Sequence, residues 1–328
     1  MGKKRALTGV KPTGIFHIGN YLGALKPALE LADNNYETFY FIANYHALTT
    51  MHSKKDLEEL TYKHVASWLA FGSQEKNVTL YLQSDIPEIF ELAWVLSCFA
   101  TKGLLERSHA YKDAVARGDK VINHGLFSYP VLMAADIVAF DTDYVPVGKD
   151  QKQHVEIARD IVGAFNTSFG SEILKAPQPL IKEEVMVIPG IDGEKMSKSY
   201  NNIIPVFAEP EEIRKVVARV KTDSSKLEEP KDPDKNIIYN IYKLLASKSE
   251  IEALRTRFLN GGLGWKEAKD LLADKIIESF KEPRIKYKEI LNDKVKIDRI
   301  LASNAEYARE TASKVMSRVR ESIGIIKS

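Results

Sequence analysis

The chain has a single cysteine in 328 residues, Cys98. One thiol cannot close an internal disulfide, and it excludes a zinc or iron–sulfur centre built on cysteines. Cys98 lies in the apolar run Ala93-Trp94-Val95-Leu96-Ser97-Cys98-Phe99 and is expected to be a buried structural thiol. No apolar stretch reaches the roughly 18 residues of a membrane span, and the segment after Met1-Gly2-Lys3-Lys4-Arg5 is too short for a signal peptide. A Met-Gly start needs Ser or Thr at position 6 for myristoylation, and Ala6 stands there. The expected location is therefore the cytoplasm, with no membrane partner. Neither Gly-x-x-x-x-Gly-Lys-Ser/Thr nor Gly-x-Gly-x-x-Gly occurs, so a nucleotide would not be held by either of those phosphate loops. Internal repeats and low-complexity tracts are absent too.

Hydrophobic residues make up 44% and charged residues 28%, the balance of a globular protein with a sizeable core. The length suits one large domain plus a smaller one. Net charge is only +2, but residues 1–200 carry 21 Lys and Arg against 24 Asp and Glu, and residues 201–328 carry 26 against 21. A basic second half suits a polyanion, as it also suits an ordinary solvated helical surface.

Residues 1–204 alternate short apolar runs with amphipathic stretches. Segments 6–10, 38–43, 78–82 and 143–148 read as buried strands. Helical spacing covers 19–34, with Leu22, Leu25, Leu29 and Ala32 on one side and Pro27 expected to kink or shorten it. Ser53 and Asp56 resemble a capping box, ahead of a helix carrying Leu57, Leu60, His64 and Trp68 and stopped by Gly72. Segments 87–100 and 151–165 read as further helices. This alternation predicts an α/β domain with a parallel sheet, whose chemistry belongs at the carboxyl ends of the strands. From 205 to 328 the pattern is helical: 209–220, 237–246, 250–258, 266–280 and 304–323, with a charged loop at 222–235.

Three segments carry chemistry. Pro12-Thr13-Gly14-Ile15-Phe16-His17-Ile18-Gly19-Asn20 joins the first strand to the first helix, where backbone N–H groups meet phosphate and His17 and Asn20 add donors. Gly193-Glu194-Lys195-Met196-Ser197-Lys198-Ser199 follows the turn 189–193. Its two lysines and two hydroxyls suit closure over a triphosphate and neutralisation of a leaving pyrophosphate. Tyr129-Pro130-Val131-Leu132-Met133-Ala134-Ala135-Asp136 places one carboxylate in apolar company, followed by Val145-Pro146-Val147-Gly148-Lys149-Asp150-Gln151-Lys152-Gln153-His154.

The first two segments resemble the HIGH signature, in the form HIGN, and the KMSKS signature of class I aminoacyl-tRNA synthetases. The third resembles the tryptophan and tyrosine subclass. Tyrosine enzymes carry Tyr-x3-Gln-x2-Asp on a helix; here the spacing is kept but Met133 replaces the amide, and Met-Ala-Ala-Asp with Val-Pro-Val-Gly is the tryptophan pattern. The likeness covers nearly the whole chain. It implies a Rossmann-like nucleotide-binding domain over 1–204 and a helical anticodon-binding domain over 205–328. It implies ATP-dependent activation of L-tryptophan and its transfer to tRNA(Trp), with Mg²⁺ bound through the ATP phosphates and a homodimer as the assembly. It makes His17, Asn20, Lys195 and Lys198 the catalytic phosphate-binding residues. Lys11, Thr13, Gly19, Asn20, Gly148, Asp150, Met196 and Ser197 would contact ATP. Leu7, His46, Tyr129, Met133, Asp136, Val145, Val147 and Gln151 would hold tryptophan, with Asp136 accepting the indole N–H and Tyr129 and Gln151 holding the α-amino group. Lys11 departs from the Gln that many bacterial members have, putting a cation near the substrate carboxylate and α-phosphate. Two basic clusters suit RNA phosphates or solvent alike: Lys281, Arg284, Lys286, Lys288, Lys294, Lys296 and Arg299, then Lys314, Arg318 and Arg320. DNA is not an expected partner. The competing readings are a tyrosine-specific ligase, a non-catalytic RNA-binding paralogue, which would be expected to lose the lysine loop, and a nucleotidyltransferase, which would lack the long helical part.

Overall fold

A computed structural model describes residues 3–34, 36–75, 78–118, 121–148, 152–181 and 188–325. The chain divides into two compact units: Met1–Thr13 with Pro27–Val185 and Asp293–Ser328, and Gly14–Lys26 with Met186–Asn292. This division is not the linear one at residue 204. The end of the chain returns to the first unit, and the HIGN segment belongs to the second.

In the first unit five parallel strands form one sheet in the order β3-β2-β1-β4-β5. They are β1 Arg5–Val10, β2 Glu37–Ile42, β3 Val78–Leu82, β4 Tyr144–Val147 and β5 Gln178–Ile181. The strand order reverses at β1, between β2 and β4, which is where open α/β sheets bind ligands. Val10 pairs with Ile42, and Ile42 with Leu82, so the carboxyl ends of three strands lie level. Phe39, Tyr40 and Ile42 of β2 are fully buried, as expected for a strand covered on both faces. The sequence pattern had no sign of β5: it is four residues long and contains Pro179, tolerable at a sheet edge.

Ser53 caps the helix Lys54–Ala70, its hydroxyl accepting from the Asp56 N–H at 3.3 Å. Pro27 acts as its chemistry dictates. A π-helical turn, Tyr21–Leu25, precedes the helix Lys26–Asp33. Proline has no N–H for the Gly23 carbonyl and its ring crowds that oxygen, which the wider turn relieves. Cys98 corrects an expectation: it follows the last residue of the helix Pro87–Ser97 and is exposed. The apolar side of that helix is formed instead by Ile89, Leu92, Val95 and Leu96.

The last helix, Lys294–Ile323, is ten residues longer at its start than the pattern 304–323 suggests, and Asp293 caps it. Leu301, Ala305, Ala308, Ala312, Val315, Met316 and Val319 recur every three or four residues, all buried; those from Ala305 on join the sheet unit's core. Polar pins fix its position: Asn304 Nδ2 donates to the Leu80 carbonyl at 2.9 Å, and Arg309 and Ser313 meet Glu88 at 3.2 and 2.9 Å. Arg318 pairs with Asp141 at 2.6 Å and Arg320 with Glu91. The second basic cluster thus largely serves internal ion pairs.

The second unit contains the helices Pro210–Ala218, Ile237–Tyr242, Lys248–Asn260, Trp265–Ser279 and Lys281–Leu291. Ile213, Val217, Ile238, Ile241, Leu254, Phe258, Leu272 and Ile276 form its buried faces. Within the first basic cluster, Arg284 is buried and Lys288 pairs with Glu209 at 2.5 Å. Among the described residues no helix is long and apolar enough to cross a membrane.

Candidate active site

In the sheet unit the polar groups gather past the carboxyl ends of β2 and β3. Asp136, on the helix His124–Val138, is fully buried. His46 Nε2 lies 2.8 Å from its Oδ2, and Gln83 Nε2 lies 2.9 and 3.0 Å from Oδ1 and Oδ2. An ionised carboxylate only accepts, so both neighbours donate. Burial raises the Asp136 pKa, while the His46 and Gln83 bonds oppose the rise. Leu7 and Val145 are buried, and Met133 and Val147 are partly buried against the same core. One acceptor in this company suits a single-donor aromatic guest.

Beside it, Tyr129 Oη lies 2.6 Å from His154 Nε2, and its ring centroid lies 6.3 Å from that of His46. The Lys11 ammonium is 5.8 Å from the Tyr129 ring centroid. Lys11 as a residue is exposed, yet the protein around its ammonium lowers its pKa. Thr13 closes a tight turn after β1, its N–H donating to the Lys11 carbonyl at 2.8 Å. Gly148 follows β4 directly. Asp150 and Gln151 lie outside the described residues.

The second unit joins the two signature segments. Ile18 N–H donates to the Ile204 carbonyl at 3.0 Å and Val206 N–H to the Phe16 carbonyl at 3.2 Å, so the HIGN segment is clipped to the segment after the lysine loop. Asn20 Oδ1 accepts from the His17 N–H at 3.1 Å, which turns its amide NH₂ the other way. Gly19 packs so closely that a Cβ would sit 2.9 Å from the His17 ring and 3.5 Å from Met196 Sδ. Gly14 has φ +57°, and a Cβ there would meet Lys198 Cδ at 2.7 Å; only glycine accommodates both demands. Burial lowers Lys198 to about 8, whereas Lys195 is exposed.

A residue absent from the sequence reading holds this loop. Asn202 is buried; its Oδ1 accepts from the Ser197 N–H at 2.7 Å, and its Nδ2 donates to Asp192 Oδ1 at 2.8 Å and the Lys195 carbonyl at 3.1 Å. Gln83 and His154 likewise join the site beyond the residues that the motifs point to. Gln83 has a visible signal, a polar residue immediately after the buried strand 78–82. Asn202 has none, since nothing in a loop's spacing tells a buried amide from an exposed one.

The model of the class I tRNA synthetases for tryptophan and tyrosine matches residues 2–281. The chain belongs to that family. A tryptophan–tRNA ligase of Fusobacterium nucleatum is 45% identical over 323 residues, covering 98% of each chain. Another from Neisseria meningitidis is 44% identical over 334 residues, covering 99% of each. The crystal structure of tryptophanyl-tRNA synthetase from Campylobacter jejuni, complexed with ADP and tryptophan, superposes with a TM-score of 0.91 at 45% identity, covering 98% of this chain and all of that one. The parallel sheet and the helical region are those of this synthetase family.

Proposed function

We propose that this protein is a tryptophan–tRNA ligase: it activates L-tryptophan with ATP and esterifies the product to tRNA(Trp). The observation that carries the reading is Asp136, a buried acceptor held by His46 and Gln83 among apolar side chains. Phenylalanine in that pocket would leave the remaining lone pair of the Asp136 carboxylate without a donor, costing about 1–3 kcal/mol. Tyrosine would bring a phenol rather than an indole, and Met133 gives it no amide partner.

In the first step the tryptophan carboxylate, ionised at neutral pH, attacks the α-phosphorus and pyrophosphate leaves. No protein base is required, so catalysis is positioning and charge stabilisation. His17, Asn20, Lys195 and Lys198 bind the phosphates, and Lys11, Thr13, Gly19, Gly148, Asp150, Met196 and Ser197 contact ATP. Leu7, Met133, Val145 and Val147 form the walls around the indole, and Tyr129 and Gln151 take the α-amino group. Mg²⁺ arrives with ATP on phosphate oxygens, a hard cation suited to them. In the second step the acyl group passes to the terminal ribose of the tRNA, releasing AMP.

The helical residues after 204 bind the anticodon in this reading, and the enzyme works in the cytoplasm as a homodimer. Trp94 supports the dimer: it is 74% exposed, one helical turn from Phe90, whose ring lies 4.5 Å from that of Tyr45. An exposed aromatic face of this kind suits an interface. The test is aminoacylation of tRNA with labelled tryptophan, tyrosine and phenylalanine. Esterification of tryptophan alone supports the assignment; esterification of tyrosine, or of none, overturns it.

A further inference from the structure

We propose that Gln83 is the positioning residue that sets tryptophan specificity, by fixing Asp136 so that its Oδ1 is the oxygen offered to the indole N–H. This rests on the reading that the pocket takes tryptophan. Gln83 is fully buried and sits just past the end of β3. Its Oε1 accepts two backbone N–H bonds, from Tyr45 at 3.1 Å and His46 at 3.2 Å. Those donors fix which way round the amide lies, because a flipped amide would set its NH₂ against two N–H groups and its oxygen against a carboxylate. The NH₂ group is therefore committed to Asp136, at 2.9 Å from Oδ1 and 3.0 Å from Oδ2.

One amide thus ties together two walls of the pocket. It anchors the short helix Asn44–Ala47, which carries His46, and it holds the carboxylate that His46 also meets. The two carboxylate oxygens end up unequal. Oδ2 shares the Gln83 donor and takes the His46 Nε2–H; among the described residues Oδ1 has only its share of Gln83. Oδ1 keeps a lone pair for a guest, and an N–H is what it can take. The same two bonds favour the ionised carboxylate against the burial that raises its pKa. An ionised Asp136 both attracts an indole N–H more strongly and penalises a guest without one more heavily, so losing Gln83 weakens tryptophan binding and discrimination together.

The test compares wild type, Gln83→Met and Gln83→Glu in pyrophosphate exchange with tryptophan and with phenylalanine. Methionine keeps the volume and removes the amide. Glutamate keeps the acceptor for the two backbone N–H groups and donates to Asp136 only when protonated. In Gln83→Met the tryptophan KM rises about tenfold or more and the preference over phenylalanine falls by a similar factor, with the ATP KM and kcat within about threefold of wild type. In Gln83→Glu the tryptophan KM, relative to wild type, falls as pH is lowered, a response that a merely structural role would not give. A folded Gln83→Met with the tryptophan KM and selectivity of wild type overturns the inference. So does a Gln83→Glu whose relative KM is flat with pH. If the wild type itself shows no tryptophan-dependent exchange, the proposed function fails, and this inference with it.

Discussion

Replacing Asn202 by alanine probes the lysine loop without touching a lysine. The substitution removes three side-chain hydrogen bonds at 2.7, 2.8 and 3.1 Å, to the Ser197 N–H, Asp192 and the Lys195 carbonyl. At a net 0.5–1.5 kcal/mol each, the ordered loop loses about 1.5–4.5 kcal/mol. Gly190 adds to the effect: a Cβ there would lie 2.4 Å from the Asn202 amide, so the turn at 190 is built around that side chain. If only the ordered loop stabilises departing pyrophosphate, kcat/KM for ATP falls about tenfold or more, since each 1.4 kcal/mol is tenfold. Tryptophan binding stays near wild type, because the side-chain partners of Asn202 are Ser197, Asp192 and Lys195 and none of the Asp136 pocket residues. The midpoint of thermal unfolding moves little, since the loop opens locally. The assay is pyrophosphate exchange at varied ATP, with tryptophan affinity measured separately by equilibrium binding. A folded Asn202→Ala with kcat/KM for ATP within about threefold of wild type would refute the loop's dependence on this clamp.

Lys198 gives a pH prediction. Burial lowers it from its ordinary 10.5 to about 8, and the ammonium is the form that holds phosphate, so kcat/KM for ATP declines as pH rises through about 8. Lys198→Arg, charged throughout, loses that decline. The sign for stability is opposite: between about 8 and 10.5 the unfolded chain holds a proton that the folded one has shed, so this group's contribution to stability rises with pH there. A wild-type profile flat from pH 7 to 9.5 would contradict the ATP prediction. Met316, fully buried in the sheet unit's core, gives a second stability prediction. Met316→Ala costs about 2–5 kcal/mol in denaturant unfolding, and a cost under about 0.5 kcal/mol would mean that the last helix does not pack as described.

The strands β1 to β4 and most helices were legible because burial imposes a period on sequence: Phe39 to Ile42 is apolar since both faces of β2 are covered, and the 3–4 spacing from Ala305 to Val319 marks a single buried stripe. The linear domain division was less so. Nothing in residues 294–323 says which core their stripe will meet, and residues 14–26 look continuous with β1. Cys98 misled because an apolar neighbourhood in sequence does not say which side of a helix end faces water. At the candidate site, the family resemblance points to His46 and Asp136, which lie 2.8 Å apart in the fold. Asn202 is illegible in sequence because it acts by hydrogen bonds within a loop, which no local pattern records, and Gln83 shows its place just after a buried strand but not its partners, which are distant in sequence.

The most direct measurement is amino-acid-dependent exchange of pyrophosphate into ATP, with tryptophan, tyrosine and phenylalanine side by side. Exchange is expected with tryptophan, abolished by Asp136→Ala through the pocket and by Lys195→Ala through the loop. Exchange driven by tyrosine, or no exchange by any of the three in a folded protein, would contradict that expectation.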